Sequence, residues 1–177
     1  MRFIFVCALL GVFVSHFIGA VVFRFTNFVC MSYNESWFKV HQCRLKAISR
    51  ENVILNMNGT ILHAVNTIHL QYIMLKKANG FKPWLVDSRM DVCRFLRSNY
   101  DPTFKIIFNL FKDFTNANHT CPYSGPVIVK GFYLRPELLI LPFPTGEYML
   151  SLRWSYDHRH QIDTNISFLF VEDMKKT

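Results

Sequence analysis

Seven histidines, five cysteines and twelve carboxylates are the side chains here with chemistry to offer. Three of these groups crowd into Asp157-His158-Arg159-His160. An acid and two imidazoles at that spacing could hold a metal or relay a proton. The segment joins two stretches that alternate apolar and polar residues, so it reads as an exposed hairpin loop rather than a site. His63 and His69 stand on one predicted strand, too far apart to share a metal unaided, and His119 lies inside an Asn-x-Thr triplet and so at the surface. No carboxylate pair stands out as a glycosidase couple. There is no Gly-x-Ser-x-Gly elbow, no phosphate-binding glycine loop and no His-Glu-x-x-His. No two cysteines have the Cys-x-x-Cys spacing of a zinc site. The chain therefore reads as non-catalytic, with no metal and no cofactor. An enzyme built on Asp157 or His158 is the weakest of the readings.

The cysteines and the N-terminus set the compartment. Arg2 precedes an apolar run from Phe3 to Val14, followed by Ser15, Gly19 and Ala20. A lone positive charge, an apolar run and a small residue at the exit predict a secretory signal peptide over 1–20. An uncleaved anchor is the alternative, because the apolar stretch reaches almost to Arg24. Ser15 and His16 interrupt that stretch and favour cleavage after Ala20. Residues 21–177 then form a single domain, long enough for a real core. They hold no second apolar stretch long enough to span a membrane. Cys7 leaves with the signal, and Cys30, Cys43, Cys93 and Cys121 remain. An even number in an oxidising compartment predicts two disulfides, with three connectivities open. Four glycosylation acceptors, Asn34, Asn58, Asn118 and Asn165, fit the same compartment. The formal charge of +8 comes from dispersed Lys and Arg. It reads as a solvated basic surface, and the compartment argues against nucleic acid as a partner.

Most of the chain past the signal alternates with period two, so it is expected to be mainly β. From Glu147 to Tyr156, Tyr148, Leu150, Leu152, Trp154 and Tyr156 share one face. In the last strand Ile162, Ile166, Phe168 and Phe170 point one way, and Asp163, Asn165 and Ser167 the other. Asn58-Gly59 between apolar runs predicts a hairpin turn. A strand or pair of strands then runs from Thr60 to Leu75, with Leu62, Ala64, Ile68, Leu70, Tyr72 and Met74 on one face. Further strands are expected near 21–29, 37–48 and 127–134, and Pro142 to Gly146 reads as a turn. A short helical insertion is expected around 88–114. Ser88 and Asp91 resemble a capping box for a helix to about Arg97. Asp101-Pro102 opens a second helix, with Phe104, Ile107, Phe108 and Phe111 at helical spacing and Lys105, Asn109 and Lys112 as a narrow polar stripe.

Eighteen phenylalanines, seven tyrosines and three tryptophans make 16% of the chain aromatic. A filled sandwich core would use most of them. Sheets splayed around a broadly apolar helix would instead enclose a cavity. On composition alone the filled core is favoured.

Three blocks of residues carry a resemblance. The first is Cys30 with Ser32, Asn34-Glu35-Ser36-Trp37 and Cys43-Arg44-Leu45-Lys46-Ala47. The second is Leu75-Lys76-Lys77-Ala78-Asn79-Gly80-Phe81-Lys82-Pro83-Trp84-Leu85 with Asp91 and Cys93. The third is Asn118-His119-Thr120-Cys121-Pro122-Tyr123, Gly131-Phe132-Tyr133 and Pro144-Thr145-Gly146-Glu147-Tyr148. The chain resembles a family of secreted insect proteins expanded in fruit flies. That family is similar to the CheB-type chemosensory proteins, and distantly to the ganglioside-activator and ML lipid-recognition domains. The resemblance implies a two-sheet antiparallel β-sandwich with an ML-like cup between its sheets, and it turns the balance toward a cavity. It implies a secreted carrier or presenter of a lipid, hydrocarbon or pheromone in chemosensation, with a membrane receptor as a further partner. The alternative is a secreted protein–protein module with a filled core.

The family shares no lining motif, so the lining is read from the helix and the strand faces. It comprises Phe104, Ile107, Phe108 and Phe111, with Tyr148, Leu150, Leu152, Trp154 and Phe168. Cys30 and Cys43 flank a hairpin carrying Asn34, while Cys93 and Cys121 bracket the insertion. The expected disulfides are therefore Cys30–Cys43 and Cys93–Cys121, the second pinning the helices across the cup mouth.

Overall fold

A computed structural model describes residues 22–50, 52–139 and 143–172. The signal peptide expected over 1–20 lies outside these residues, as does Pro142 of the proline-rich turn. The period-two stretches pair into two antiparallel sheets. The larger has the order β1 (Val22–Ser32), β8 (Arg159–Val171), β7 (Gly146–Tyr156), β4 (Ile68–Lys77) and β5 (Phe81–Asp91). The smaller has the order β2 (Phe38–Ala47), β3 (Val53–Val65) and β6 (Tyr123–Phe132). The molecule is mainly β, a two-sheet antiparallel sandwich with few helices, as the alternation predicts. Two helices, α1 (Val92–Ser98) and α2 (Pro102–Phe111), and a 3₁₀ turn (Lys112–Phe114) lie between β5 and β6 in the chain. Among the described residues, no helix is long and apolar enough to cross a membrane.

The sheets turn their apolar faces toward each other. On β4 the buried positions are Ile68, Leu70, Tyr72 and Met74, and on β7 they are Tyr148, Leu150, Leu152 and Tyr156. β7 and β8 are joined through Asp157 and His158, both in the left-handed region at φ 43° and 66°. That is the backbone of a two-residue hairpin whose twist matches its strands. The Asp157 carboxylate accepts from the Asn66 and Thr67 amides at 3.3 and 3.1 Å, which ties this hairpin to the β3–β4 turn.

Both expected disulfides are present. Cys30–Cys43 joins β1 to β2, edge strands of the two sheets, with Cα atoms 6.1 Å apart. Cys93–Cys121 joins α1 to the segment entering β6, at 5.5 Å. The sandwich is thus stapled along one side, and on the other a tethered helical flap bridges β5 to β6.

Four local expectations are corrected. Asn58-Gly59 is no turn but the middle of β3, paired with Gln42 and Val40 on β2 and with Ile128 and Val127 on β6. The glycine is there for space, since a Cβ on Gly59 would stand 2.5 Å from Cζ of the buried Phe38 ring. Leu62 is 48% exposed and Ala64 is exposed, while Ile61 and Val65 point inward. The turn at Asn66-Thr67 separates β3 from β4, so the inward face does not carry across it, and His63 and His69 stand on different strands. Ser88 lies within β5 and caps nothing. The cap of α1 is Asp91, whose Oδ1 accepts from the Arg94 amide at 2.9 Å, so the insertion begins at Val92 rather than near 88. On β8, Asp163 and Ser167 are buried, at 8% and 5% exposure, although the alternation sets them on the face away from Ile162, Ile166, Phe168 and Phe170, and Tyr33 covers Asp163 by donating to its Oδ2.

Candidate functional site

The flap is held by polar contacts at both ends. Asp101 caps α2, its Oδ1 accepting from the Phe104 amide at 2.9 Å, with Pro102 in the first turn. Its second oxygen accepts from the Tyr72 hydroxyl at 2.9 Å, which ties the flap to β4. Burial, reinforced by the Asp101 carboxylate and opposed by a hydrogen bond with Ser88, pushes that phenol up to about 12. At the other end Arg135 donates to the Asn109 and Leu110 carbonyls at 3.3 and 3.1 Å and to the Asp113 carboxylate at 3.2 Å. A cation on the last carbonyls of a helix complements its dipole. The Arg135 guanidinium also lies 5.3 Å from the Phe114 ring.

The two sheets meet in places, Phe25 against Phe132 at 5.1 Å and Phe38 against Tyr156 at 6.1 Å. Beneath the flap they leave between them a cavity of about 210 Å³, smaller than most ligand sites. Phe104, Ile107, Phe108 and Phe111 line it from α2, and Leu150, Leu152, Trp154 and Phe168 from the large sheet. Tyr148 is the one exception in the expected lining. It is fully buried behind the wall, packed on Trp84 at 5.1 Å and Phe143 at 5.0 Å, and its hydroxyl donates to the Pro144 carbonyl. Of the four α2 side chains only Phe104 is buried. The others are half-buried, packed against the core on one side and lining the cavity. Edge-to-face rings run from Phe104 through Phe95 to Phe108 and Phe111, so the wall is rigid aromatic surface. The wall reaches the surface beside β5, where Leu85 lines the cavity and is 59% exposed.

The opposite wall was not foreseen. Leu55, Met57 and Ile61 from β3, with Val129 and Phe132 from β6, complete the enclosure. Their alternation is visible in the sequence, but reading Asn58-Gly59 as a turn cut β3 in two and hid it. Ile162, Thr164 and Ile166 extend the β8 face.

Among the described residues no charged side chain lines the cavity. Its polar groups are tyrosine and threonine hydroxyls and the Trp154 ring nitrogen, which donates to Thr164 Oγ1 at 3.1 Å. Burial raises the ionisation of Tyr123, Tyr148 and Tyr156 above the usual phenol value, so each stays a neutral donor. Such an arrangement excludes water and attracts apolar matter, and it offers no nucleophile or general base within.

Asp157, His158, His160 and His69 lie off the cavity wall. The rings of His158 and His69 lie 5.1 Å apart and tilted by 38°, and His160 Nε2 lies 2.7 Å from Oδ1 of Asp163, whose Oδ2 accepts from Tyr33. Among the described residues no three His, Cys, Asp or Glu side chains gather as metal ligands. Of the glycosylation acceptors, Asn34 and Asn118 are exposed in loops. Asn58 and Asn165 are half-buried within central strands, and Asn165 Oδ1 is buried without a partner.

Residues 70–150 match the model of a family described as a protein of unknown function (DUF1091). No curated protein matches the chain. Among solved structures, a Niemann-Pick type C2 protein from Japanese carpenter ant is similar at 11% identity and a TM-score of 0.33. The match covers 85% of this chain and 93% of that one.

Proposed function

We propose that the protein is a secreted, non-catalytic binder of a hydrophobic ligand, a lipid, hydrocarbon or pheromone, which it carries or presents in chemosensation. The observation that carries this reading is the enclosed cavity with an aromatic and aliphatic wall and no charge on it. Burying a chain there contributes about 0.8 kcal/mol per methylene, so a handful of methylenes outweighs any single polar contact. The flap supplies a way in, since beside its buried Phe95 and Phe104 it is attached by two polar anchors and one disulfide, and the cavity wall reaches the surface at Leu85. The two disulfides suit an oxidising compartment, where the signal peptide over 1–20 would deliver the chain. A protein–protein module with a filled core is the competing reading, and the open interior argues against it.

The test is native mass spectrometry and organic extraction of protein secreted from insect cells, followed by titration with the neutral fluorophore phenylnaphthylamine. A stoichiometric apolar ligand, or saturable uptake of the fluorophore, is the expected result. Clean protein that takes up nothing would overturn the reading in favour of the protein–protein module.

A further inference from the structure

The wall of the cavity is not uniform along its length. Tyr156 and Leu150 are both on it, six residues apart on β7, which is about 20 Å at the usual rise of a strand. A volume of about 210 Å³ drawn out over that length is narrow and suits one extended chain. Toward Leu150 the surroundings are phenylalanine, with Phe143, Phe168 and Phe23 on the wall. Toward Tyr156 they include tyrosine hydroxyls.

Three donors on the wall are already used. Tyr72 donates to Asp101, Tyr123 to the His119 carbonyl and Trp154 to Thr164. Tyr156 is different. It is 5% exposed, shares a cluster with Phe38, Ile68 and Ile162, with its ring 6.1 Å from that of Phe38, and lines the cavity. Its hydroxyl makes no hydrogen bond to another group among the described residues, and phenylalanine would fill the same space without a polar atom on the wall. Burial keeps the phenol protonated, so what it offers is a donor. With no cation on the wall, a carboxylate would be buried there without a counter-charge, which is strongly unfavourable. A neutral oxygen suffers no such penalty.

Resting on the proposed hydrophobic-ligand function, we propose that the Tyr156 hydroxyl receives the oxygen-bearing end of a neutral single-chain ligand, an alcohol, aldehyde, ketone or ester. The tail of that ligand lies toward the phenylalanine end. Tyr156 is in this sense the specificity residue of the cavity, selecting an oxygenated chain over a plain hydrocarbon and over a fatty acid.

The experiment is displacement of bound phenylnaphthylamine by a chain-length-matched set, an alkane, a primary alcohol, a ketone, a methyl ester and a carboxylate, against the wild-type protein and Tyr156→Phe. Wild type is expected to prefer the neutral oxygenated chains over the alkane by roughly 3- to 10-fold, the worth of one net hydrogen bond, and to bind the carboxylate worst. In Tyr156→Phe the preference over the alkane disappears while alkane affinity stays within about twofold, and the ligand-free variant melts no lower than wild type. Identical rankings in both proteins, or tightest binding by the carboxylate, would overturn the assignment while leaving the apolar cavity intact. Failure of every chain, the alkane included, would overturn the proposed function and this inference with it.

Discussion

Asp101 is the residue whose removal should open the molecule. Asp101→Ala deletes two bonds at once, the α2 cap to the Phe104 amide and the acceptor for Tyr72 on β4. An N-cap is worth about 1 kcal/mol, and a hydrogen bond to a charged group about 1.5–3 kcal/mol. Ser88 remains beside the Tyr72 hydroxyl as a substitute partner, which places the second contribution at the low end. The expected loss is about 2.5 kcal/mol. Because both bonds hold the flap and neither holds a sheet pairing, the loss should fall on flap closure. That shifts the closed-to-open ratio about 60-fold. Stopped-flow release of phenylnaphthylamine is the assay, and release should speed up by at least tenfold. Asp101→Asn keeps a cap oxygen and Tyr72→Phe keeps the ring, so each should accelerate release by less. A double-mutant cycle between them should give a coupling of about 1 kcal/mol. Release at the wild-type rate in Asp101→Ala, with a lowered melting temperature, would refute the reasoning, since the two bonds would then support the whole fold rather than the flap.

Loop-closure entropy assigns about 3.6 kcal/mol to Cys93–Cys121, with its separation of 28 residues, and about 3 kcal/mol to Cys30–Cys43, with 13. Paired alanine substitutions should lower urea stability by similar amounts, but only loss of Cys93–Cys121 should also speed probe release. Gly59→Ala should destabilise by about 1–3 kcal/mol through overpacking against Phe38; a stability unchanged in urea would mean that the ring has room to move. Stability should fall as pH rises from about 10 through about 12. The Tyr72 phenol binds its proton more tightly folded than unfolded, so its contribution is full below the unfolded value and lost above the folded one. Phenolate absorbance followed alongside unfolding checks this, and titration of all tyrosines near 10 in the native state would contradict it. Glycopeptide mapping of secreted protein should find Asn34 and Asn118 occupied and Asn165 bare, since its side chain is half-buried between β1 and β7.

Strand faces and helix caps were legible because they are local. The alternation from Tyr148 to Tyr156 places one face inward whatever stands opposite, and Asp101-Pro102 opens a helix through bonds and a fixed φ within four residues. The misreadings were also local signals, overridden from a distance. Asn58-Gly59 has the composition of a turn, yet pairing on both sides with β2 and β6 holds it extended, and the glycine serves the Phe38 ring from another strand. Ser88 reads as a cap because nothing nearby in sequence reveals that β5 pairs with β4 as far as Asp91. Tyr148 reads as lining because alternation tells which way a side chain points but not what already occupies that direction, here Trp84 and Phe143.

The same distinction separates what each level decides about function. The sequence by itself determined the class of the protein, namely strands with one apolar face, an aromatic surplus, a greasy helical insertion and four cysteines to pin it. Whether that surplus fills a core or walls a cavity depends on the distance between two sheets, which no periodicity encodes. The Cys30–Cys43 staple, the tethered flap and its anchors at Tyr72 and Arg135 decide it, because each fixes separation between elements distant in the chain. Only where the sheets are held apart are Ile107, Phe108 and Phe111 left half-buried along a cavity, and only then does Tyr156 stand on its wall.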